Sequence, residues 1–238
     1  MTHVAHPYVQ RIGVNRDWKS RWFTTDANKF REYLRTDAAI RRFLEKKLKG
    51  MSVDTVEIER NQKEVRIIIK TARPGLVIGR SGEGATKLKQ EIDMLLRKSK
   101  LSDKPDVKID VEEIRSPESS ASIVGQMIAE GLEKRLTFRR VMKQTIEKVM
   151  ANRDVEGVRL TLSGRLGGAD MARREELKKG RIPLQTLRAD IDFARVTARL
   201  PYGAIGIKVW IYRGQVFADR KSGQVETAAR NPQTNRNA

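Results

Sequence analysis

The sequence predicts an α+β fold built as two domains behind a basic arm, and three observations carry that reading. The chain has 238 residues, a length that suits two domains at roughly 100 to 200 residues each. Apolar spacing switches repeatedly between about 3.6 and 2 in both halves, as helices and half-buried strands require. Glycine and proline fall where those periods change. The expected organisation is an N-terminal arm over residues 1–24, an α+β domain over 25–116, a second two-layer α/β domain with a mixed sheet over 117–218, and a disordered tail over 219–238.

Composition narrows the function classes. Lys and Arg number 49 against 30 Asp and Glu, a formal charge of +19, while 39% of the residues are hydrophobic. A chain so apolar folds, and a folded surface so basic calls for a polyanion, because each cation placed on a phosphate releases a condensed counterion. Nucleic acid is the expected partner. The charge divides as +7 over residues 1–50, +2 over 51–116, +8 over 117–218 and +2 over 219–238, which predicts several separate anion contacts. The chain contains no cysteine, which removes thiolate metal sites, iron–sulfur clusters and cysteine nucleophiles together. No apolar run reaches 18 residues and the first ten residues lack a signal pattern, so a soluble, unexported protein without a membrane partner is expected. His3 and His6 both lie in the arm and cannot by themselves form a metal centre; no cofactor is expected.

The elements follow in order. Residues 7–23 mix cations with rings: Arg11, Arg16, Trp18, Lys19, Arg21, Trp22 and Phe23. Such an arm can pack its rings on the body, or lie along nucleic acid with cations on phosphates and rings stacked on bases. Residues 28–49 read as a helix, with Phe30, Leu34, Ile40, Phe43, Leu44 and Leu48 apolar and Gly50 as its stop. Val56 and Ile58, then Val65, Ile67 and Ile69, alternate with charges on either side of a polar turn and predict a hairpin. Pro74 and Gly75 break the second strand, Leu76, Val77 and Ile78 make one helical turn, and Gly79-Arg80-Ser81-Gly82 leads into a helix over 83–97. Val107, Ile109 and Val111 mark a third strand.

Three Gly-x-x-Gly pairs occur, starting at Gly79, Gly164 and Gly203, but only the first joins an apolar turn to an amphipathic helix. Its glycines let backbone approach a sugar-phosphate chain, Arg80 and Ser81 supply a cation and a donor, and the helix start offers free N–H groups. A plain turn between helices is the alternative. A phosphate-binding ATPase loop is the other, since Gly79, Gly84 and Thr86 have its spacing, but Ala85 stands at the lysine position. The element order around this loop resembles the type II KH domain of bacterial RNA-binding proteins, in which the loop clamps about four nucleotides.

In the second half, Ser116 with Pro117 and Glu118 predicts a helix start, followed by Ile123, Val124, Met127, Ile128, Leu132 and Leu136 at helical spacing. A second helix begins at Thr137. Phe138, Val141, Met142, Ile146 and Val149 fall on one arc of it, and Arg139, Arg140 and Lys143 on the opposite one. Those cations are either a solvated face or an anion contact; the helix dipole disfavours them there. Strands follow at Val158 to Leu162, at 187–199 and at Ile205 to Ile211. The apolar phase flips near Phe193, predicting a bulge or bend.

Five blocks in order carry a more specific resemblance: Ala72-Arg73-Pro74-Gly75 into Val77-Ile78-Gly79; Phe138-Arg139-Arg140; Ser163-Gly164-Arg165-Leu166-Gly167-Gly168-Ala169; Gly180-Arg181-Ile182-Pro183-Leu184 with Thr186-Leu187-Arg188-Ala189; and Tyr202-Gly203 through Gly206-Ile207-Lys208-Val209-Trp210-Ile211. Together they resemble the ribosomal protein three family of the bacterial small subunit, from about His6 to Phe217. The resemblance implies a structural protein in the head of the subunit, cytoplasmic or in a plastid. It also implies ribosomal RNA as partner, small-subunit proteins ten and fourteen as neighbours, and proteins four and five beside it at the messenger RNA entry tunnel. Arg139, Arg140 and Lys143 match the family's entry residues, which assist unwinding of structured message. Cations of the arm (Arg11, Arg16, Lys19, Arg21) and of the matched blocks (Arg165, Arg181, Arg188) are the expected ribosomal RNA contacts. The sequence departs from the family at Val4 and Val9, where lysine and glycine are usual, and at Glu175-Glu176-Leu177, where a Glu-Trp pair is common.

Other classes fit less well. A free-standing KH regulator would concentrate its charge in the central block, which carries only +2. A lyase acting on abasic sites through a lysine Schiff base is the enzymatic alternative, implied by distant eukaryotic relatives, but no lysine stands in a recognisable catalytic setting. The expectation is a binding protein and not an enzyme.

Overall fold

A computed structural model of the chain describes residues 5–61, 63–98 and 106–217. The tail expected over 219–238 lies outside the described residues, as do His3 and Val4. The α+β class expected from the sequence is what the structure shows: two four-stranded sheets, each with helices packed on it.

The arm is ordered by contacts with both halves. Helix α1 (Pro7–Arg11) starts at His6, whose Nδ1 accepts the Tyr8 N–H at 3.2 Å. Burial, Arg195 and Lys19 together hold the His6 pKa below its usual value, so the ring stays a neutral acceptor at pH 7. Strand β1 (Ser20–Arg21) then joins the first sheet.

Helix α2 (Ala27–Lys47) is capped by Asp26, which accepts the Asn28 N–H. Ile40, Leu44 and Leu48 are buried as their spacing predicts, but Phe30 and Leu34 are about half exposed. Trp22 of the arm covers part of these first turns, meeting Phe30 and Tyr33 at 5.3 and 5.6 Å between ring centroids. Trp22 also donates to Asp37 at 2.8 Å, and Asp37 in turn pairs with buried Arg60 at 2.8 Å. Strands β2 (Val53–Arg60) and β3 (Glu64–Thr71) form the expected hairpin, with Val56 opposite Ile69 and Ile58 opposite Ile67. Helices α3 (Pro74–Ile78) and α4 (Glu83–Lys98) lead to β4 (Asp106–Glu113), which runs parallel to β3. The sheet order is β1-β2-β3-β4, with mixed pairing. Its inner face packs Ile58, Val65, Ile67, Ile69 and Val107 on α2 and α4.

In the second half the sequence misplaces the first helix start. Pro117–Ser119 is a separate 3₁₀ turn, and α5 (Ala121–Glu133) begins one turn later with Ser120 accepting the Ile123 N–H. Ser116 makes no capping bond; both serines satisfy the local cap pattern, and only packing chooses between them. Helix α6 (Phe138–Met150) follows as predicted, with Val141, Met142, Ile146 and Val149 buried and Phe138 partly so.

The second sheet contains β5 (Gly157–Gly164), β6 (Arg173–Gly180), β7 (Ala189–Leu200) and β8 (Gly203–Gln215) in the order β6-β5-β8-β7. Every neighbour in it is antiparallel, so the mixed pairing expected here belongs to the first sheet instead. Direct connections between neighbours favour antiparallel strands. Strand β6 was invisible to the alternation rule, because Arg173-Arg174-Glu175-Glu176-Leu177-Lys178-Lys179 offers one apolar residue. It is an edge strand, where charge is the rule.

The bulge predicted near Phe193 is corrected as well. The β7–β8 ladder is regular from Ile191 to Leu200, and the register shift lies between Ala189 and Ile191. The apolar phase flips because the strand serves two cores. Ala194, Val196 and Ala198 face the helices with the main cluster, whereas Ala189, Ile191 and Phe193 pack with Trp210 and Tyr212 on the other face.

The halves are joined by polar contacts. Ser122 Oγ and Gln126 Nε2 donate to the Val53 carbonyl at 3.1 and 2.7 Å, and Ser120 Oγ donates to Asp54 at 2.5 Å. Within the second half, Arg213 bonds the Ser119 carbonyl and Asp192, and Asp192 accepts the Ala121 N–H, which holds the start of α5 beside that junction.

Candidate nucleic-acid interface

The glycine loop is assembled by backbone conformations that few residue types tolerate. Gly79 closes α3 at φ +72°, its N–H bonded to the Gly75 carbonyl at 3.0 Å. Ser81 sits at φ +52° and Gly82 at φ +81°, both in the left-handed region. The turn leaves Arg80 and Ser81 exposed, close in the chain to exposed Leu76 and Ile78 of α3. Gly84 is demanded by packing: a Cβ there would lie 2.7 Å from the Val77 carbonyl oxygen and 2.8 Å from that of Ile78. That close approach explains the glycine without a nucleotide. Thr86 Oγ1 donates to the Gly82 carbonyl at 3.0 Å, so its hydroxyl is turned back along its own helix.

The open face of the first sheet does something different. Arg21 pairs with Asp17, Glu57 and Glu59; Arg66 with Asp110 and Glu59; Lys70 with Glu57 and Glu112; Lys108 with Glu64. Each pair is worth little in water, but together they neutralise the face. The near-neutral charge of the central block is therefore largely a lattice of cross-strand pairs; among its described residues the exposed cations without an ion-pair partner are Arg73 and Arg80 beside the loop, with Lys63, Arg97 and Arg115 elsewhere.

The face of α6 is the opposite case. Arg139, Arg140 and Lys143 are all exposed, and among the described residues Arg140 and Lys143 have no ion-pair partner. Thr137 makes no side-chain capping bond, so the first turn keeps free N–H groups beside these cations. Arg139, 71% exposed, lies 3.5 Å from Glu175 on β6 and 5.6 Å from the Phe138 ring centroid. Arg173, also on β6, reaches the same carboxylate oxygen at 3.5 Å and the same ring at 5.5 Å. The turn at Leu166–Gly168 lies beside them, a Cβ at Gly167 being 4.0 Å from Phe138 Cε1. Sequence reading missed Arg173 because it missed the strand; the doublet Arg173-Arg174 was the available signal.

The seven cations expected to touch ribosomal RNA divide into three kinds. Arg11 is a correction: it is wholly buried, and its guanidinium donates to the carbonyls of Ala189, Pro7, Leu184 and Thr186 at 2.7 to 3.0 Å. Burial holds its pKa below the usual arginine value. Four of its five N–H donors are engaged and none is exposed to RNA, so it anchors the arm to the second half. Arg16, mostly buried, pairs with Asp190 at 2.5 Å, and Arg21 is occupied as described above. Arg165 is half committed, holding its own turn through the Ala169 and Tyr202 carbonyls and Asp170. Lys19, Arg181 and Arg188 are exposed; Lys19 lies over the Tyr8 ring and Arg188 over the Phe217 ring. Trp18 and Phe23, at 63% and 87%, are among the most exposed rings of the arm.

Comparison with known proteins places these features in context. Residues 39–119 match the model of the KH domain, and residues 128–211 match that of the ribosomal protein S3 C-terminal domain. The chain is 44% identical over 220 residues to small ribosomal subunit protein uS3 of Caldicellulosiruptor bescii, covering 92% of this chain and 96% of that one. It is 43% identical over 229 residues to the protein of that name from Clostridium tetani, covering 96% of this chain and all of the relative. The Gluconobacter oxydans protein of that name is also 43% identical, over 96% of this chain and 97% of its own.

Proposed function

Because this chain belongs to the family of small ribosomal subunit protein uS3, we propose that it is a structural, RNA-binding constituent of the small ribosomal subunit and not an enzyme. Its place of work is the ribosome, with ribosomal RNA as its main partner. In finer detail, it sits in the head of the subunit beside proteins ten and fourteen and, with proteins four and five, lines the tunnel through which messenger RNA enters. Arg140 and Lys143, with Arg139, contact the entering message and assist unwinding of paired segments. The observation that carries this role is the charge of Arg140 and Lys143 on the α6 face, without an ion-pair partner among the described residues, in a protein whose other exposed cations are so often paired with carboxylates. Cations at a helix N-terminus stand against the dipole at a small cost in stability, which favours an anion contact over a merely solvated face. The loop of Gly79, Arg80, Ser81 and Gly82 is a second contact for single-stranded RNA.

The test is replacement of Arg139, Arg140 and Lys143 with alanine. Apolar positions are untouched, so folding and incorporation into ribosomes are retained. The salt slope of message binding falls by about two to three units, at ~0.7 to 0.9 per lost phosphate contact. Ribosomes carrying the variant read unstructured message at nearly the normal rate and stall longer at a hairpin. Equal slowing on both templates, or on neither, removes these residues from unwinding.

A further inference from the structure

We propose that Arg139 and Arg173 form a single phosphodiester-binding site, and that Glu175 is the protein's own anion held in that site until RNA displaces it. The inference rests on the reading that the α6 face contacts RNA, and extends it to a second element, the edge strand β6.

Strand register brings the groups together. In the β5–β6 ladder Arg173 stands opposite Gly164 and Glu175 opposite Leu162, and Leu162 faces the helices. Alternation therefore turns Arg173 and Glu175 toward α6, and Arg174 and Glu176 away from it. The two guanidiniums arrive from different elements at one carboxylate oxygen, each at 3.5 Å, and at one ring, each within 5.6 Å of its centroid. Glu175 lies deeper than either cation: its side chain is 27% exposed, against 71% for Arg139 and 49% for Arg173.

That geometry suits a phosphate better than it suits the glutamate. One carboxylate oxygen shared between two guanidiniums at 3.5 Å gives neither the short bidentate pairing that makes such bonds strong. Two positive charges against one negative leave the cluster a net cation. Stacking on Phe138 orients both planar groups while their donor edges stay free. A phosphodiester carries two unesterified oxygens and can accept from both guanidiniums at once, displacing an exposed pair that holds little energy. Glu175 thus preorganises the two arginines in the free protein and lowers their affinity for RNA.

The experiment measures binding of the full-length protein to a fluorescent twelve-nucleotide oligouridylate by anisotropy, across a salt series. Glu175→Gln is expected to tighten binding about two- to fivefold, the equivalent of removing one exposed ion pair. Glu113→Gln, which changes net charge equally on the other sheet, is expected to do less. Arg173→Ala weakens binding as much as Arg139→Ala, each lowering the salt slope by ~0.7. In the Arg139→Ala, Arg173→Ala background, Glu175→Gln then gains nothing. The proposal is overturned if Glu175→Gln matches Glu113→Gln, or if its gain survives in that background. Loss of affinity at Arg140→Ala and Lys143→Ala without loss at Arg173→Ala keeps the α6 reading and refutes the paired site. Loss at Arg139→Ala and Arg173→Ala alone supports the paired site and narrows the α6 reading to it. No loss in any of the four refutes both.

Discussion

Arg11→Met separates the two roles an arm arginine can have. Methionine keeps an unbranched apolar stem of similar length and removes the guanidinium, so the carbonyl oxygens of Pro7, Leu184, Thr186 and Ala189 lose it as a donor, although Thr186 still accepts the Ala189 N–H and Ala189 still accepts from Asn15 Nδ2. Each stranded acceptor costs on the order of 1 kcal/mol, and bonds from a charged donor run higher, about 1.5 to 3 kcal/mol each. The variant recovers the cost of burying a guanidinium, and Asp190 is its one nearby carboxylate, already paired with Arg16. A net loss of about 2 to 4 kcal/mol follows. For a protein of this size, 1 kcal/mol moves Tm by roughly 2 to 4 °C, so a fall of about 4 to 16 °C is expected if the arm unfolds with the body. If the arm detaches alone, the same free energy appears as faster amide exchange over residues 7–21 with Tm little changed. Exchange mass spectrometry alongside calorimetry reads both outcomes. RNA affinity of the folded protein at low temperature is expected to stay within about twofold, since no donor of Arg11 faces outward. A variant of undiminished stability and arm protection that loses RNA affinity and about one unit of salt slope would refute this account and restore Arg11 as an RNA contact.

Three further outcomes follow from the same geometry. Replacing Arg80 and Ser81 together with aspartate leaves both loop glycines in place and points two carboxylates outward, so affinity for single-stranded RNA is expected to fall at least tenfold with Tm unchanged; equal affinity of variant and wild type in a filter-binding assay removes the loop from RNA contact. Gly84→Ala sets a Cβ against two backbone carbonyls of α3 and is expected to cost about 1 to 3 kcal/mol, read as a lowered urea midpoint; an unchanged midpoint shows that α3 and α4 separate freely. Asp54 has its pKa raised, chiefly by burial and then by Asp192. The folded state therefore holds a proton that the unfolded state releases, and stability falls as pH rises from the ordinary aspartate value through the raised one. Asp54→Asn keeps an acceptor for Ser120 and is expected to be the more stable form at pH 7, the difference closing as pH falls toward 4; a less stable variant at pH 7 contradicts the sign.

Much of this protein was decided locally and could be read from the chain. Burying Ile40, Leu44 and Leu48, or Ile205, Ile207 and Val209, requires only that a period of 3.6 or 2 turn those residues to one side. Such spacing needs no knowledge of the partner surface, so the main helices and six of the eight strands followed from it. The left-handed turn at Gly79 and Gly82 and the apolar arc of α6 are legible for the same reason, and five ordered blocks made the family legible as well. What tertiary structure alone decided concerns groups whose partners are distant along the chain. Arg11 has the same local sequence signature as a surface cation; carbonyls more than 170 residues away make it a buried anchor. The phase of β7 reads as a defect until Trp210 and Tyr212 supply a second core on its outer face. Ser116 and Ser120 are equally good caps until the Ala121 N–H meets Asp192. Strand β6 has no apolar alternation, because an edge is held by backbone bonds to β5 and by Leu177 alone against the core. With β6 unseen, the meeting of Arg139, Arg173 and Glu175 could not be foreseen, since charges 34 residues apart share a site only when a ladder register puts them there.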